Sequence, residues 1–178
     1  TKHEDAIYFS KRVTRAVPDG GPIEAHTDLV KKLDYECELA VVLGRDARDV
    51  PAGQTRDYIF GYTILNDVSA RDVQTAHKQW YFGKSLDGFT PIGPCIVTAD
   101  AFADYPPRLG IRSFVNGEKR QDSNTALQIF DIDHVIAELS QGMTLKAGTI
   151  IATGTPAGVG MGMDPPQFLK PGDVVRCE

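Results

Sequence analysis

The sequence predicts a β-rich α+β domain. Three observations carry this. Short runs of β-branched and apolar residues outnumber helical patterns. Glycine and proline, 17 and 11 in number, are scattered between those runs as turn punctuation rather than massed in linkers. The strand-like and helix-like segments do not alternate regularly, which argues against a parallel α/β sheet. The candidate strands are Ala6–Phe9, Leu33–Leu43, Ile59–Leu65, Cys95–Thr98, Ile111–Val115, Thr149–Ala152 and Asp173–Arg176. Asn116-Gly117, followed by the polar run Glu118–Gln121, predicts a hairpin turn, because both central positions of the tight turn favour positive φ. Ile132, Val135, Ile136, Leu139 and Met143 recur at helical spacing and predict one amphipathic helix, with Asp131 or Asp133 as its cap and Gly142 at its left-handed end. A second, shorter helix is predicted around Asp67–Thr75.

The chain of 178 residues suits a single domain spanning 1–178, long enough to bury a core without disulfides or a structural metal. Its 19 Lys+Arg against 24 Asp+Glu leave a net charge of −5, which offers no electrostatic reason to expect nucleic acid or an anionic membrane surface. No apolar run approaches the roughly 18 residues that span a bilayer. The three cysteines, Cys37, Cys95 and Cys177, are widely spaced and form no Cys-x-x-Cys pair, the pattern of reduced thiols in a cytoplasmic protein. Both ends read as parts of a longer chain: no cap or leader opens it, and the strand begun at Asp173 stops after a few residues.

Four clusters could carry chemistry. On a strand over Leu33–Leu43, Leu33, Tyr35, Cys37, Leu39, Val41 and Leu43 share one side, and Glu36, Glu38, Ala40 and Val42 share the other. The two glutamates lie about 7 Å apart at Cα by strand rise, so they either converge on one divalent cation or face water. Ala40 and Val42 make their face apolar a few ångströms further on, where unneutralised carboxylates are expensive. The second cluster is Asn66-Asp67-Val68-Ser69-Ala70-Arg71-Asp72-Val73-Gln74, directly after an apolar strand. On a helical turn it would put Asp67, Arg71 and Gln74 on one face; the alternative is a capped helix start with an exposed ion pair. The third, Trp80 to Pro94, is an aromatic, Gly/Pro-rich loop holding Lys84. The fourth runs from Thr153 to Gly162. It lacks a Gly-x-Gly-x-x-Gly or phosphate-loop pattern, and Pro156 removes an amide donor. What it offers a small anion is hydroxyls and closely approachable backbone amides.

In this order the clusters resemble the fumarylacetoacetate hydrolase family, in its small bacterial branch of acylpyruvases, fumarylpyruvate hydrolases, hydroxy-heptadienedioate isomerases and oxaloacetate decarboxylases. The motifs are Asp34-Tyr35-Glu36-x-Glu38-Leu39, Asn66-Asp67-x-Ser69-x-Arg71-Asp72-x-Gln74, Lys84-Ser85-x-Asp87, Pro91-x-Gly93-Pro94, Asn116-Gly117-Glu118 and Thr153-Gly154-Thr155-Pro156-x-Gly158-Val159-Gly160. The resemblance implies a mixed β-sandwich roll of the family's C-terminal-domain type, usually a homodimer. It implies Glu36, Glu38 and Asp67 as ligands of one Mg²⁺ or Mn²⁺, which agrees with the preference of hard cations for oxygen donors. It also implies that Lys84, Arg71, Gln74, Lys11 and the Thr153-Gly154-Thr155 segment surround a 2-oxo acid, with Lys84, Asp67 and Arg71 taking catalytic roles. Hydrolytic members carry a His and a Glu on a mobile segment upstream of Lys11. His3, His26, His77 and His134 do not match that pair.

The expected chemistry is C–C bond hydrolysis of small 2,4-dioxo acids of the acylpyruvate or fumarylpyruvate type, through a pyruvate enolate stabilised by the metal. Two alternatives stand beside it: oxaloacetate decarboxylation or keto–enol isomerisation at the same site, and a non-catalytic scaffold that senses an oxo acid.

Overall fold

A computed structural model describes residues 4–178. Its elements are strands β1 (Leu33–Asp34), β2 (Cys37–Leu43), β3 (Ile59–Asn66) and β4 (Ser69–Ala70), helices α1 (Arg71–Ala76) and α2 (Tyr81–Lys84), strands β5 (Ile92–Thr98), β6 (Gly110–Val115) and β7 (Glu118–Asn124), helix α3 (Ile132–Leu139), and strands β8 (Ile150–Ala152) and β9 (Val175–Cys177). A four-stranded antiparallel sheet runs β5-β3-β2-β8, a three-stranded sheet runs β7-β6-β9, and β1 pairs with β4. The described residues form a β-rich α+β domain. β2, flanked by β3 and β8, is buried along its whole length. The main core joins Leu39, Val41 and Leu43 of β2 to Ile59 and Tyr62 of β3 and to Ile132 and Ile136 of α3. A second core, around Val30, Val68, Val73 and Phe89, lies under α1.

Four elements differ from the sequence reading. Ala6–Phe9 is not a strand. It has β-propensity but no ladder partner, and Ile7, Tyr8 and Phe9 stay exposed. The predicted strand Leu33–Leu43 is two strands, because the chain changes partner: Leu33 and Asp34 pair with Ala70 and Ser69, whereas Cys37 onward pairs with β3. At the break, the Asn66 side-chain oxygen accepts from Glu36 N–H (3.0 Å) and Asp67 N–H donates to the Glu36 carbonyl (2.8 Å). The short helix begins at Arg71 rather than Asp67, since Ser69 and Ala70 are held in that ladder. Asp67 therefore precedes the helix and does not share a helical face with Arg71 and Gln74. The third helix ends at Leu139, and Met143 lies beyond it, half exposed. Asp131 is the cap, accepting from His134 N–H at 2.8 Å. Asp133 instead takes the Gly53 amide and the Thr55 hydroxyl. Gly142 is left-handed, as expected. Among the described residues, no helix is long and apolar enough to cross a membrane.

Candidate metal centre

Local sequence rules bring the site residues together from separate segments. The switch of partner at Tyr35-Glu36 places Glu36 and Glu38 on either side of the first residue of β2. The bend after Asn66 turns Asp67 back against them. Lys84 arrives on α2, a single turn that lies directly on α1. Gly83 permits this approach: a Cβ there would sit 2.6 Å from Gln74 N and 2.8 Å from the Ala70 carbonyl. Lys11 enters from the irregular segment upstream, donating to Asp67 Oδ1 and to the Phe89 carbonyl, both at 2.6 Å.

Both glutamates are buried, so the reading in which they face water fails. One oxygen each from Glu36, Glu38 and Asp67 lies within 4.8 Å of the other two. Lys84, 2% exposed, bridges Glu36 Oε2 (2.6 Å) and Asp67 Oδ2 (2.5 Å). Arg71 Nη1 pairs with Glu36 Oε1 at 2.6 Å and reaches Gln74 Oε1 at 3.3 Å, while Arg71 Nε donates to Asp34 Oδ2 at 2.9 Å. Arg71 Nη2 is buried with no hydrogen-bond partner. Glu38 is different: its oxygen accepts from Gly154 N–H at 2.7 Å, and it has no ion-pair partner among the described residues. Burial, reinforced by the neighbouring Asp67 and Glu36 charges, pushes its carboxyl well above the usual range. Burial also lowers Lys11, against the pull of Asp67. For Arg71, burial disfavours the charge, but Glu36 and Asp34 outweigh it and the guanidinium is held more firmly protonated.

Four buried acidic side chains (Asp34, Glu36, Glu38, Asp67) thus face three basic ones (Lys11, Arg71, Lys84), and Glu38 is the acid left without an ion-pair partner. An unpaired carboxylate in a low-dielectric site is costly unless neutralised. An all-oxygen donor set with an unpaired acid at Glu38 fits a hard divalent cation, and among the described residues no thiolate or imidazole takes part.

The glycine-rich segment binds carboxylates that belong to the protein itself. Gly154 N–H holds Glu38, while Gly160 N–H (2.7 Å) and Met161 N–H (2.9 Å) hold Asp34. The Thr153 and Thr155 hydroxyls donate to the Leu39 and Cys37 carbonyls, at 2.8 and 2.9 Å, and accept from Gln128 and Gln121. Sequence reasoning assigned no role to Asp34 or Gln121. Asp34 had a signal, being a further acid beside Glu36 at the mouth of an apolar strand. Gln121 had none, because it joins β7 to Cys37, Ser113 and Thr155 only through the tertiary fold.

This chain belongs to the fumarylacetoacetate hydrolase family: the fumarylacetoacetate (FAA) hydrolase C-terminal family matches residues 1–178. Among its relatives, the oxaloacetate tautomerase YisK of Bacillus subtilis is 45% identical over 172 residues, covering 97% of this chain and 57% of that protein. The structure of a fumarylacetoacetate hydrolase from the psychrophile Exiguobacterium antarcticum superposes with a TM-score of 0.85 at 52% identity, covering 88% of this chain and 56% of that one. Fumarylpyruvate hydrolase from Pseudomonas aeruginosa, solved in complex with Mn²⁺ and pyruvate, gives a TM-score of 0.79 at 28% identity, with coverages of 92% and 69%. The chain spans a little over half the length of YisK and of the Exiguobacterium enzyme.

Proposed function

We propose that this chain forms the catalytic domain of a divalent-metal enzyme that enolises small 2-oxo acids, and that its reaction is C–C bond hydrolysis of 2,4-dioxo acids of the acylpyruvate or fumarylpyruvate type. One observation carries this reading: three buried carboxylates converge beside a bridging lysine and an arginine nitrogen that has no partner.

Glu36, Glu38 and Asp67 would hold a Mg²⁺ or Mn²⁺, which would supply Lewis acidity toward a substrate oxygen. Arg71 Nη2 receives a carboxylate oxygen of the substrate, supplying the partner this buried donor lacks. Lys84 stabilises negative charge developing at the oxo oxygen. Lys11, on Asp67, and Gln74, on Arg71, fix the directions of those groups. Thr153, Gly154 and Thr155 form the wall that keeps Glu38 and the β2 backbone in place. Around this site we place a cytoplasmic homodimer. The free thiols support the compartment, and the exposed Ile96 and Val97 on edge strand β5 support an apolar contact between copies.

A second reading, oxaloacetate keto–enol tautomerisation, is favoured by the 45% identity to YisK. Full-length enzyme loaded with Mn²⁺ is assayed on acetylpyruvate, fumarylpyruvate and oxaloacetate. Release of pyruvate from the first two supports hydrolysis. Interconversion of oxaloacetate forms without pyruvate supports the tautomerase, and CO₂ release supports decarboxylation. In each case E36Q lowers turnover roughly 100-fold or more and weakens Mn²⁺ binding while circular dichroism stays native. An E36Q enzyme that keeps full turnover after chelation and gel filtration overturns the metal-dependent reading.

A further inference from the structure

Asp34 is a fully buried carboxylate, 0% exposed, that lies outside the set of converging ligand oxygens. Its Oδ1 accepts from Tyr35 N–H (2.9 Å) and Gly160 N–H (2.7 Å), and its Oδ2 accepts from Met161 N–H and Arg71 Nε, both at 2.9 Å. A charge with four donors around it, one of them a guanidinium, is a fixed point. Two other features keep it fixed. β1 and β4 pair Asp34 with Ser69, two residues before Arg71, so the backbone that carries the acid is laddered to the one that carries the guanidinium. The loop amides reach Asp34 only because residue 160 is glycine: a Cβ there would lie 2.0 Å from the Gln167 carbonyl and 2.7 Å from Asp34 Oδ1. Tyr35 pins the same loop a second time, its hydroxyl donating to the Gly158 carbonyl at 2.7 Å.

The arginine gains a direction from this. Nε is held by Asp34 on one edge of the planar fork, and Nη1 is held by Glu36 and Gln74 on the other side. With those two positions fixed, the guanidinium plane has no remaining freedom, and the buried Nη2 points one way only. We propose that Asp34 is a positioning residue for substrate binding. Together with the Gly160–Met161 amides, it locks Arg71 so that Nη2 presents a preorganised donor to the carboxylate of the 2-oxo acid. This rests on the 2-oxo acid reading above, and it assigns the acid a role in substrate affinity rather than in metal binding.

The test is a double-mutant cycle in the full-length Mn²⁺ enzyme, using D34N, R71K and the pair. The asparagine keeps an oxygen for Tyr35 and Gly160 but turns an amide nitrogen toward Arg71 Nε, donor against donor. The expected result is a KM raised roughly tenfold or more, with kcat and Mn²⁺ affinity changed by less than about threefold. In the pair, KM stays within about twofold of R71K alone, because the acid acts through the arginine. Additive effects, or an unchanged KM in D34N, overturn the positioning role and leave the enzyme reading intact. If D34N does not fold, D34E decides: it keeps a carboxylate but displaces it from Arg71 Nε, so KM rises while Mn²⁺ affinity stays within about threefold. An unchanged KM in D34E overturns the role. A wild-type enzyme that binds neither Mn²⁺ nor oxalate overturns both proposals together.

Discussion

At its C-terminal end β2 buries Leu39, Val41 and Leu43 against Ile59, Tyr62, Ile132 and Ile136. At its N-terminal end the same strand carries Glu38, with Glu36 just upstream, into a cluster of four carboxylates and three cations. Both halves are equally hidden from water, and both share the antiparallel ladder to β3. Burial favours folding at the apolar end, by about 25 cal/mol for each Å² removed from water. At the ionic end burial opposes folding, since each ion gives up hydration worth several kcal/mol and recovers it only from partners placed within hydrogen-bonding reach. The apolar half of the strand therefore stabilises the fold that positions the ionic half.

That contrast predicts its largest effect at Lys84. K84M removes the ammonium between Glu36 and Asp67 and leaves two buried carboxylates without it, a loss of about 3–5 kcal/mol in the metal-free protein. Mn²⁺ recovers part of the loss, because it supplies positive charge to the same oxygens. Urea unfolding with and without Mn²⁺ measures both numbers. Unfolding at the wild-type urea concentration, whether or not Mn²⁺ is present, would break the argument that this end of the strand is held by charge balance.

At the apolar end, Leu43→Ala opens a cavity among Ile59, Ile132 and Ile136 and costs about 2–5 kcal/mol. The signature differs from that of Lys84. Mn²⁺ raises the stability of L43A by as much as it raises that of wild type, and turnover per folded molecule stays within about twofold. A stability loss that Mn²⁺ selectively repairs would show that the two halves are coupled.

The apolar half was the legible one. Alternation along Leu39–Leu43 and the stripe at Ile132, Ile136 and Leu139 identify core-facing positions, because burial imposes a period on sequence. The carboxylates were legible as residues but not as a geometry: spacing alone favours Glu36 and Glu38 facing water over a shared cation. Their burial depends on Asn66 filling the ladder gap and on Gly83 letting α2 approach, and both are long-range facts. In sequence the Thr153–Gly162 loop addresses an outside anion as readily as an internal one, since amide donors look the same whatever they bind. In the fold those amides meet Glu38 and Asp34. Ala6–Phe9 shows the reverse case, in which local propensity had no partner to act on.

The smallest effect tests whether the apolar half can be loosened without reaching the metal ligands. Asp131 and Asp133 stand two residues apart at the start of α3. Asp131 caps the helix through His134 N–H, and Asp133 ties it to the Gly53–Thr55 turn. D131A leaves one first-turn amide without its acceptor and costs about 1 kcal/mol, with the extra hydrogen exchange confined to the first turn of α3. Ile132 and Ile136 of that helix press on β2 from the side of Val41 and Leu43, not from the side of Glu38. Frayed ends relax locally, so Mn²⁺ affinity in D131A equals that of wild type. A weaker Mn²⁺ affinity in D131A would mean that helix fraying is transmitted along β2 to its carboxylates, and the strand would then have to be treated as one cooperative unit rather than two.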